Sequence, residues 1–169
     1  MTATTAPPPV RALGALLAVA GPAAIGASLG LRADVPTLLS NAAWMPLIVL
    51  GVMALMLPGL YIASAFADIA PPARDVARGA LRALEALGLC ALGLAPALAF
   101  LVSTSTSAVT NLVLGHVVLA LAAMLGLTAF YRSLFADRPA VRAVPLFGFW
   151  ALLTVAIGWR FFLLAIAGV

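Results

Sequence analysis

The sequence predicts an all-α protein embedded in a membrane, and three observations support this prediction. The chain of 169 residues is 65% hydrophobic and 8% charged, whereas a soluble domain is about 45–50% apolar and about 25% charged. Its mean hydropathy is +1.21. Residues 86–131 carry no formally charged side chain. A soluble chain could not keep so much apolar surface away from water, so we expect an integral membrane helical bundle.

The uncharged run 86–131 determines part of the topology. As one helix its 46 residues would be about 70 Å long, more than twice the ~30 Å hydrocarbon core of a bilayer. The run must therefore fold back on itself. The segment 103–107, Ser-Thr-Ser-Thr-Ser, lies near its middle and is rich in residues that favour turns and helix starts. We predict a transmembrane hairpin that turns at 103–107.

The N-terminal region is predicted to be a flexible tail over 1–10, followed by a single transmembrane domain over 11–169. The tail contains three consecutive prolines, which favour extended chain. Residues 12–31 are uncharged and just long enough to span a bilayer, but Pro22 lies in their middle. This segment is predicted to be a fifth, N-terminal span, with a re-entrant or interfacial helix as the alternative.

The second apolar segment is predicted to span the membrane over 44–66. Trp44 suits the headgroup level at its start, and Asp68 closes it. Pro46 comes early enough for the first helical turn, whereas Pro58 is internal and predicts a kink.

Three further spans are predicted at 83–102, 108–131 and 143–165. Each follows from an apolar run of sufficient length. Pro96 predicts a kink in the first of the three. Together with 44–66 they make four strong spans.

Arginine positions predict the orientation of these spans. Six arginines flank two of the predicted connections: Arg74, Arg78, Arg82, Arg132, Arg138 and Arg142. The turn at 103–107 has none. The positive-inside rule then places 68–82 and 132–142 in the cytoplasm and both the turn and the C-terminus outside. Five spans put the N-terminus inside with Arg11, whereas four spans put it outside. We favour five spans in a bacterial inner membrane.

Composition argues against several kinds of site. Cys90 and His116 are the only residues of their types, so no Cys/His metal cluster can form, and no cofactor is expected. The net charge of +4 comes from dispersed arginines rather than a basic domain, so we expect no nucleic-acid binding. No catalytic residue is predicted. The candidate functional or lipid-contact residues are Arg160, His116, Asn111, Glu85, Arg74, Arg78 and Arg82.

Arg160 is the charge nearest to the middle of a predicted span. It follows Arg142 by 18 residues, or about 27 Å of helix, which places it near the outer interface beside Trp159. There it can extend its guanidinium towards the interface. We expect an anchor, paired with Asp34 or the C-terminal carboxylate, and keep a substrate or lipid-headgroup site as the alternative.

Polar residues of the hairpin are predicted to pack rather than react. Glu85 lies one turn after Arg82, which predicts a local ion pair. A proton relay from Glu85 would need His116 as its partner, but His116 is expected to lie at a different depth in the membrane. Asn111 and His116 are predicted to form interhelical hydrogen bonds, each worth about 0.6–2 kcal/mol, with a ligand role for His116 as the alternative.

Two further patterns suggest contacts. Arg74, Arg78 and Arg82 recur on one helical face and should attract anionic lipids, at about 1 kcal/mol per Arg. Small residues at four-residue spacing let helix backbones approach closely, either within the bundle or to a partner. These are Gly59, Ala63 and Ala67 in one segment and Ala122 and Gly126 in another.

Three short motifs carry a resemblance to a known group. They are Met45-Pro46 leading to Leu57-Pro58-Gly59-Leu60-Tyr61, then Ala95-Pro96-Ala97-Leu98-Ala99-Phe100 running into 103–107, and Gly158-Trp159-Arg160-Phe161-Phe162. Over about residues 35–165 the chain resembles small bacterial polytopic proteins, broadly similar to Yip1-type membrane proteins. The resemblance implies a bundle of four or five helices and carries over no catalytic residue.

The function predicted from these features is non-enzymatic. We expect an accessory or scaffold subunit of a larger membrane complex, with a protein partner or a homo-oligomer inside the bilayer. The alternative is a small transporter or channel with a site near the outer half of the bundle. Its internal prolines would then mark broken helices around that site.

Overall fold

The computed structural model describes residues 8–137 and 139–167. They form five helices, α1 (Pro8–Gly30), α2 (Val35–Phe66), α3 (Ala73–Thr104), α4 (Ala108–Phe135) and α5 (Ala140–Phe162), and a π-helical turn, Leu163–Ala167, continues α5. These residues contain no strand. All five helices are long and apolar enough to cross a membrane. The predicted all-α membrane bundle, with its fifth N-terminal helix, is confirmed.

Helix α1 begins earlier than the predicted tail allows. Residues 8–10 are its first turn, where proline is tolerated because the N–H groups there have no partner within the helix. The rest of the predicted tail, 1–7, lies outside the described residues.

Helix α2 begins nine residues before the predicted span 44–66. The Asp34 carboxylate accepts a hydrogen bond from the Thr37 N–H at 3.1 Å, and Pro36 occupies the first turn. This cap makes Pro46 an internal residue, so its predicted place in a first turn was wrong. The 32 residues of α2 extend about 48 Å, so the helix projects from the hydrocarbon core or tilts within it.

The other helices also extend past their predicted spans. α3 starts at Ala73 and α4 ends at Phe135, because amphipathic turns continue each helix beyond the apolar run. α5 covers Ala140–Phe162 instead of 143–165, and the π-helical turn follows.

The predicted hairpin turn is confirmed, with a shorter connection. Helix α3 continues through Thr104, and residues 105–107 join it to α4. The Ser107 hydroxyl accepts from the Thr110 N–H at 3.3 Å, which is an N-cap. Ser103 lies within α3, and its hydroxyl donates to the Phe100 carbonyl at 2.7 Å.

The bundle has two ends, named here by their side chains. The hydroxyl end holds the connections 31–34 and 105–107, and Arg32 there donates to the Ser105 carbonyl. The arginine end holds the connections 67–72 and 136–139. At that end Arg142 donates to the Ala67 carbonyl at 3.4 Å, which joins the start of α5 to the end of α2.

The helices form a ring in the order α5, α2, α1, α3, α4. Helix α1 packs along both α2 and α3, α3 packs on α4, and α2 packs on α5, whereas α4 and α5 make few contacts with each other. Two buried clusters fill the ring. One contains Phe130 and Trp150 towards the arginine end, and the other contains Leu98 and Phe162 towards the hydroxyl end.

Candidate functional site

A cavity of about 120 Å³ lies between the two buried clusters, with walls from α2, α3, α4 and α5. Met53 and Ala83 of the first cluster border it, as do Leu87 and Phe162 of the second. The lining is almost entirely apolar. His116 and Thr154 are its polar residues apart from the Trp159 indole, and the Thr154 hydroxyl already donates to the Trp150 carbonyl at 2.8 Å. His116 is therefore the principal polar group of the cavity wall.

His116 is held on two sides. Its Nδ1 lies 2.7 Å from the Leu112 carbonyl of the preceding turn. Its ring centroid is 3.8 Å from that of Trp159 and 4.2 Å from that of Phe162. Both aromatic residues belong to the last turns of α5, so the histidine joins α4 to α5 by ring contacts.

The other ring nitrogen of His116 has no hydrogen-bond partner among the described residues, although it is buried. The Leu112 carbonyl can only accept, so Nδ1 carries the hydrogen. In the neutral ring Nε2 is then an acceptor. A buried acceptor without a donor costs free energy. Nε2 is therefore the polar atom of the cavity wall that gains most from a hydrogen-bond donor.

The cavity continues to the surface between α4 and α5. A second recess on that seam shares four lining residues with the cavity: Ala120, Ala123, Leu127 and Val155. Ala120 and Val155 are exposed. The seam is therefore an opening that faces the surroundings of the bundle midway along both helices, which we call the α4/α5 window.

Aromatic contacts close the window at both of its ends. Towards the hydroxyl end the contact is between His116 and Trp159. Towards the arginine end the Phe130 ring centroid lies 5.9 Å from that of Phe147 and 5.6 Å from that of Trp150. Helices α4 and α5 make few contacts with each other, and the window lies between these two aromatic contacts.

The structure does not assemble the candidate polar residues into one site. His116 lines the cavity, but Asn111 and Arg160 do not. The Asn111 Oδ1 is buried without a partner among the described residues. Among the described residues neither Asn111 nor His116 makes the predicted interhelical hydrogen bond, and His116 bonds within its own helix instead.

Arg160 lies where its spacing predicted, at the hydroxyl end of α5, and is exposed. It makes no ion pair with Asp34, because that carboxylate caps α2 instead. The C-terminal carboxylate, its other predicted partner, lies outside the described residues.

The Glu85 carboxylate does not pair with Arg82, contrary to prediction. Arg82 is exposed, whereas Glu85 is half-buried and lies against Gly14 of α1, where a β-carbon on Gly14 would overlap the Glu85 Oε1. The missing side chain of Gly14 gives the carboxylate room to turn towards α1, away from Arg82.

The predicted arginine face is exposed at the arginine end. Arg74, Arg78 and Arg82 all lie on the surface, and Asp75 is 3.9 Å from Arg74 and 3.4 Å from Arg78. One carboxylate partly offsets two of the three positive charges, and such exposed pairs contribute little to stability.

Small residues divide into internal and external sets. A β-carbon on Gly126 would meet the Ala83 carbonyl oxygen at 2.9 Å, so Ala122 and Gly126 serve the packing of α4 on α3. A β-carbon on Gly59 would meet nothing within 4 Å, and Ala63 is exposed. Gly59 and Ala63 face away from the bundle, whereas Ala67 packs against the first buried cluster.

Sequence patterns offered little sign of the residues around His116. Trp159 and Phe162 are one turn apart on α5, so they share a face, but that spacing does not identify the helix they meet. In residues 8–137 and 139–167, no group of three or more His, Cys, Asp or Glu residues is placed to hold a metal ion. Cys90 packs at the edge of the second cluster.

Comparison of the chain with protein families, curated proteins and solved structures found no match.

Proposed function

We propose that this membrane protein is a non-enzymatic accessory or scaffold subunit that acts by associating with a partner helix inside the bilayer. The observation that carries the proposal is the outward face of α2. Gly51 and Gly59 lie two helical turns apart on that face, and a β-carbon on either would meet nothing within 4 Å. Ala63 continues the same surface by one further turn.

In a bilayer, an exposed surface of small residues indicates helix association. Lipid tails are as apolar as leucine, so helices associate in membranes through close packing, which small residues allow. Glycine on a lipid-facing surface gains nothing from lipid and weakens the helix. A second helix, from a partner protein or from another copy of this chain, would pack closely along Gly59 and Ala63 and would meet the exposed Leu55 before it reaches Gly51.

The orientation belongs to the same proposal. With the arginine end in the cytoplasm and the hydroxyl end outside, the exposed Arg74, Arg78 and Arg82 would lie against an anionic inner leaflet. A bacterial inner membrane and the similarity to Yip1-type proteins fit this arrangement, and neither assigns a role to a residue.

Transport is the second candidate, and the cavity beside His116 is the observation in its favour. The cavity lies between the two buried clusters, about midway along the bundle, and His116 borders it on the side of the hydroxyl end. Its described lining includes neither a charged residue nor Pro22, Pro58 or Pro96. Broken helices and charges are the usual means of binding a hydrated solute in a membrane, so the geometry favours association.

Copurification from a mild detergent tests the proposal. The wild-type protein is expected in a species larger than a monomer, analysed by light scattering and mass spectrometry. Gly59→Leu should remove that species, because the larger side chain holds the partner away. Gly93→Leu is the matched control, since a β-carbon on Gly93 of α3 also meets nothing within 4 Å. A wild-type monomer without a partner, or equal behaviour of the two variants, would contradict the proposal.

A further inference from the structure

We propose that the cavity binds one long-chain alcohol dissolved in the bilayer, which enters through the α4/α5 window and donates its hydroxyl hydrogen bond to His116 Nε2. This inference is independent of the accessory role, because it concerns the interior of the bundle and the seam between α4 and α5, whereas the accessory role rests on the outward face of α2.

The position of the window indicates where the ligand comes from. Ala120 and Ala123 lie near the middle of α4, and Gly148 and Val155 border the same recess from α5. The midpoint of a spanning helix lies in the hydrocarbon core. A molecule passing between these small side chains therefore arrives from the lipid and not from water.

The size of the cavity indicates how much of the ligand it holds. An apolar cavity of about 150 Å³ accommodates a benzene molecule, so a cavity of about 120 Å³ accommodates only a short stretch of hydrocarbon chain. The recess along the window is continuous with the cavity through Ala123 and Leu127. The remaining chain would lie along that recess, against lipid.

The chemistry of the wall restricts the polar group of the ligand. The described lining contains no charged side chain, and an ionised group buried there would lack compensation. This argues against a phosphate, carboxylate or ammonium head inside the cavity. In its neutral form the His116 ring offers an acceptor at Nε2, which pairs with a neutral donor, and a hydroxyl is the simplest such group on a lipid chain.

Side chains around His116 must shift for the bond to form, because Nε2 is buried. The Trp159 ring packs against the imidazole, with 3.8 Å between the two ring centroids and 37° between the two planes. Trp159 itself is 48% exposed, so its indole has room to swing towards the lipid side. The hydroxyl would then reach the Nε2 lone pair in the plane of the imidazole ring, with the chain directed towards the window.

Photolabelling tests the proposal in the full-length protein. The probe is hexadecanol with a diazirine in the middle of its chain, and unlabelled hexadecanol and hexadecane are the competitors. Label is expected in peptides covering 116–127 or 148–162. Hexadecanol should compete about 3- to 20-fold better than hexadecane, which corresponds to one interhelical-type hydrogen bond in a membrane.

Three variants separate the contribution of the His116 hydrogen bond from that of the space in the cavity. His116→Phe keeps an aromatic ring against Trp159 but removes Nε2, so the two competitors should become equal. Ala123→Leu fills the cavity and should lower labelling to the level left by excess hexadecanol. Ala156→Leu makes the same change at an exposed α5 position outside the cavity lining and should label as wild type does.

The proposal is overturned if label on the wild-type protein falls outside both peptides, or if hexadecane competes as well as hexadecanol. These two measurements need no variant, so they remain decisive even if Ala123→Leu does not fold. Wild-type labelling of a folded Ala123→Leu would equally contradict the site.

Discussion

Gly21 of α1 lies directly against Gly88 of α3, so that a β-carbon on Gly21 would overlap the Gly88 carbonyl group. The relationship is nearly reciprocal, because a β-carbon on Gly88 would overlap the Leu17 carbonyl of α1. Two backbones in such contact allow many favourable atom pairs and bring the helix axes close together. The N-terminal helix is thereby fixed in the ring as one of its five packed helices and not as a surface element.

Gly21→Ala is expected to destabilise the protein by at least about 1–3 kcal/mol, the usual cost of overpacking a close-packed site. The obstacle is backbone, which cannot rotate away, so α1 must move from α3. Unfolding in mixed micelles, followed by circular dichroism, measures the change. Gly93→Ala is the control on α3, where a β-carbon meets nothing within 4 Å, and should be neutral or slightly stabilising. Equal costs for the two variants would contradict the contact.

Gly14→Ala should cost less than Gly21→Ala, although both glycines face α3. A β-carbon on Gly14 would meet the end of the Glu85 side chain, which can rotate to another position. Measuring Gly14→Ala in the wild type and in Glu85→Ala gives a double-mutant cycle. Any cost of Gly14→Ala should disappear when Glu85 is shortened, and an unchanged cost would show that Glu85 is not the obstacle.

The number of helices and the hairpin could be predicted because both depend on local properties. Hydropathy and length identify a span wherever it lies in the ring, and the hydroxyl residues at 103–107 provide turn and cap chemistry within a few positions. The start of α2 was also present locally, in the cap of Asp34 on Thr37. Hydropathy alone placed that start too late, since a helix can continue beyond the apolar run.

The packing faces could not be predicted for a different reason. Gly14 and Gly21 are spaced by two turns in a segment where many Gly and Ala residues offer similar faces, so spacing alone does not choose between them. The cavity depends on the distant meeting of His116 with Trp159. That contact follows from the order of helices around the ring, which periodicity does not specify.

Asp68 should tolerate glycine better than alanine. It has a positive φ of 57°, and the Ile69 N–H bonds to the Ser64 carbonyl at 3.0 Å, as in a Schellman C-cap of α2. Asp68→Gly removes the steric cost of this conformation and should stabilise the protein by about 0.5–1 kcal/mol. Asp68→Ala should destabilise it. Thermal unfolding compares both with the wild type, and a stabilising alanine would contradict the cap.

The Asp34 cap predicts a contribution to stability that depends on pH. Hydrogen bonds from the Thr37 side chain and backbone N–H lower the pKa of Asp34 below its ordinary value of 3.8. The ionised carboxylate therefore stabilises α2 fully above pH 3.8, and this contribution is lost as the pH falls through the lower, folded-state pKa. Asn caps helices without titrating, so Asp34→Asn is the matched variant.

The difference in melting temperature between wild type and Asp34→Asn should stay constant above that pH and move in favour of Asn below it. Melting curves collected from about pH 6 down to about pH 2 cover both regimes. A difference that changed only near neutral pH would point to another titrating group.

Trp150→Phe isolates a hydrogen bond that joins α5 to α2 inside the bundle. The Trp150 Nε1 donates to the Met56 carbonyl at 2.7 Å, two residues before Pro58. Phenylalanine keeps an aromatic ring against Phe130 and Phe147 but has no donor. Interhelical hydrogen bonds in membranes average about 0.6 kcal/mol and reach about 1.7 kcal/mol, so the variant should lose stability within that range, measured by unfolding in mixed micelles.

Trp44→Phe is the control for that change, because Trp44 is 48% exposed on α2 and makes no side-chain hydrogen bond to the described residues. It should leave stability nearly unchanged. Since α4 and α5 make few contacts with each other, the bond from Trp150 to α2 is a principal restraint on α5 towards the arginine end. Trp150→Phe should therefore also raise amide hydrogen exchange in α5, and a loss of stability without faster exchange there would mean that the bond does not restrain the helix.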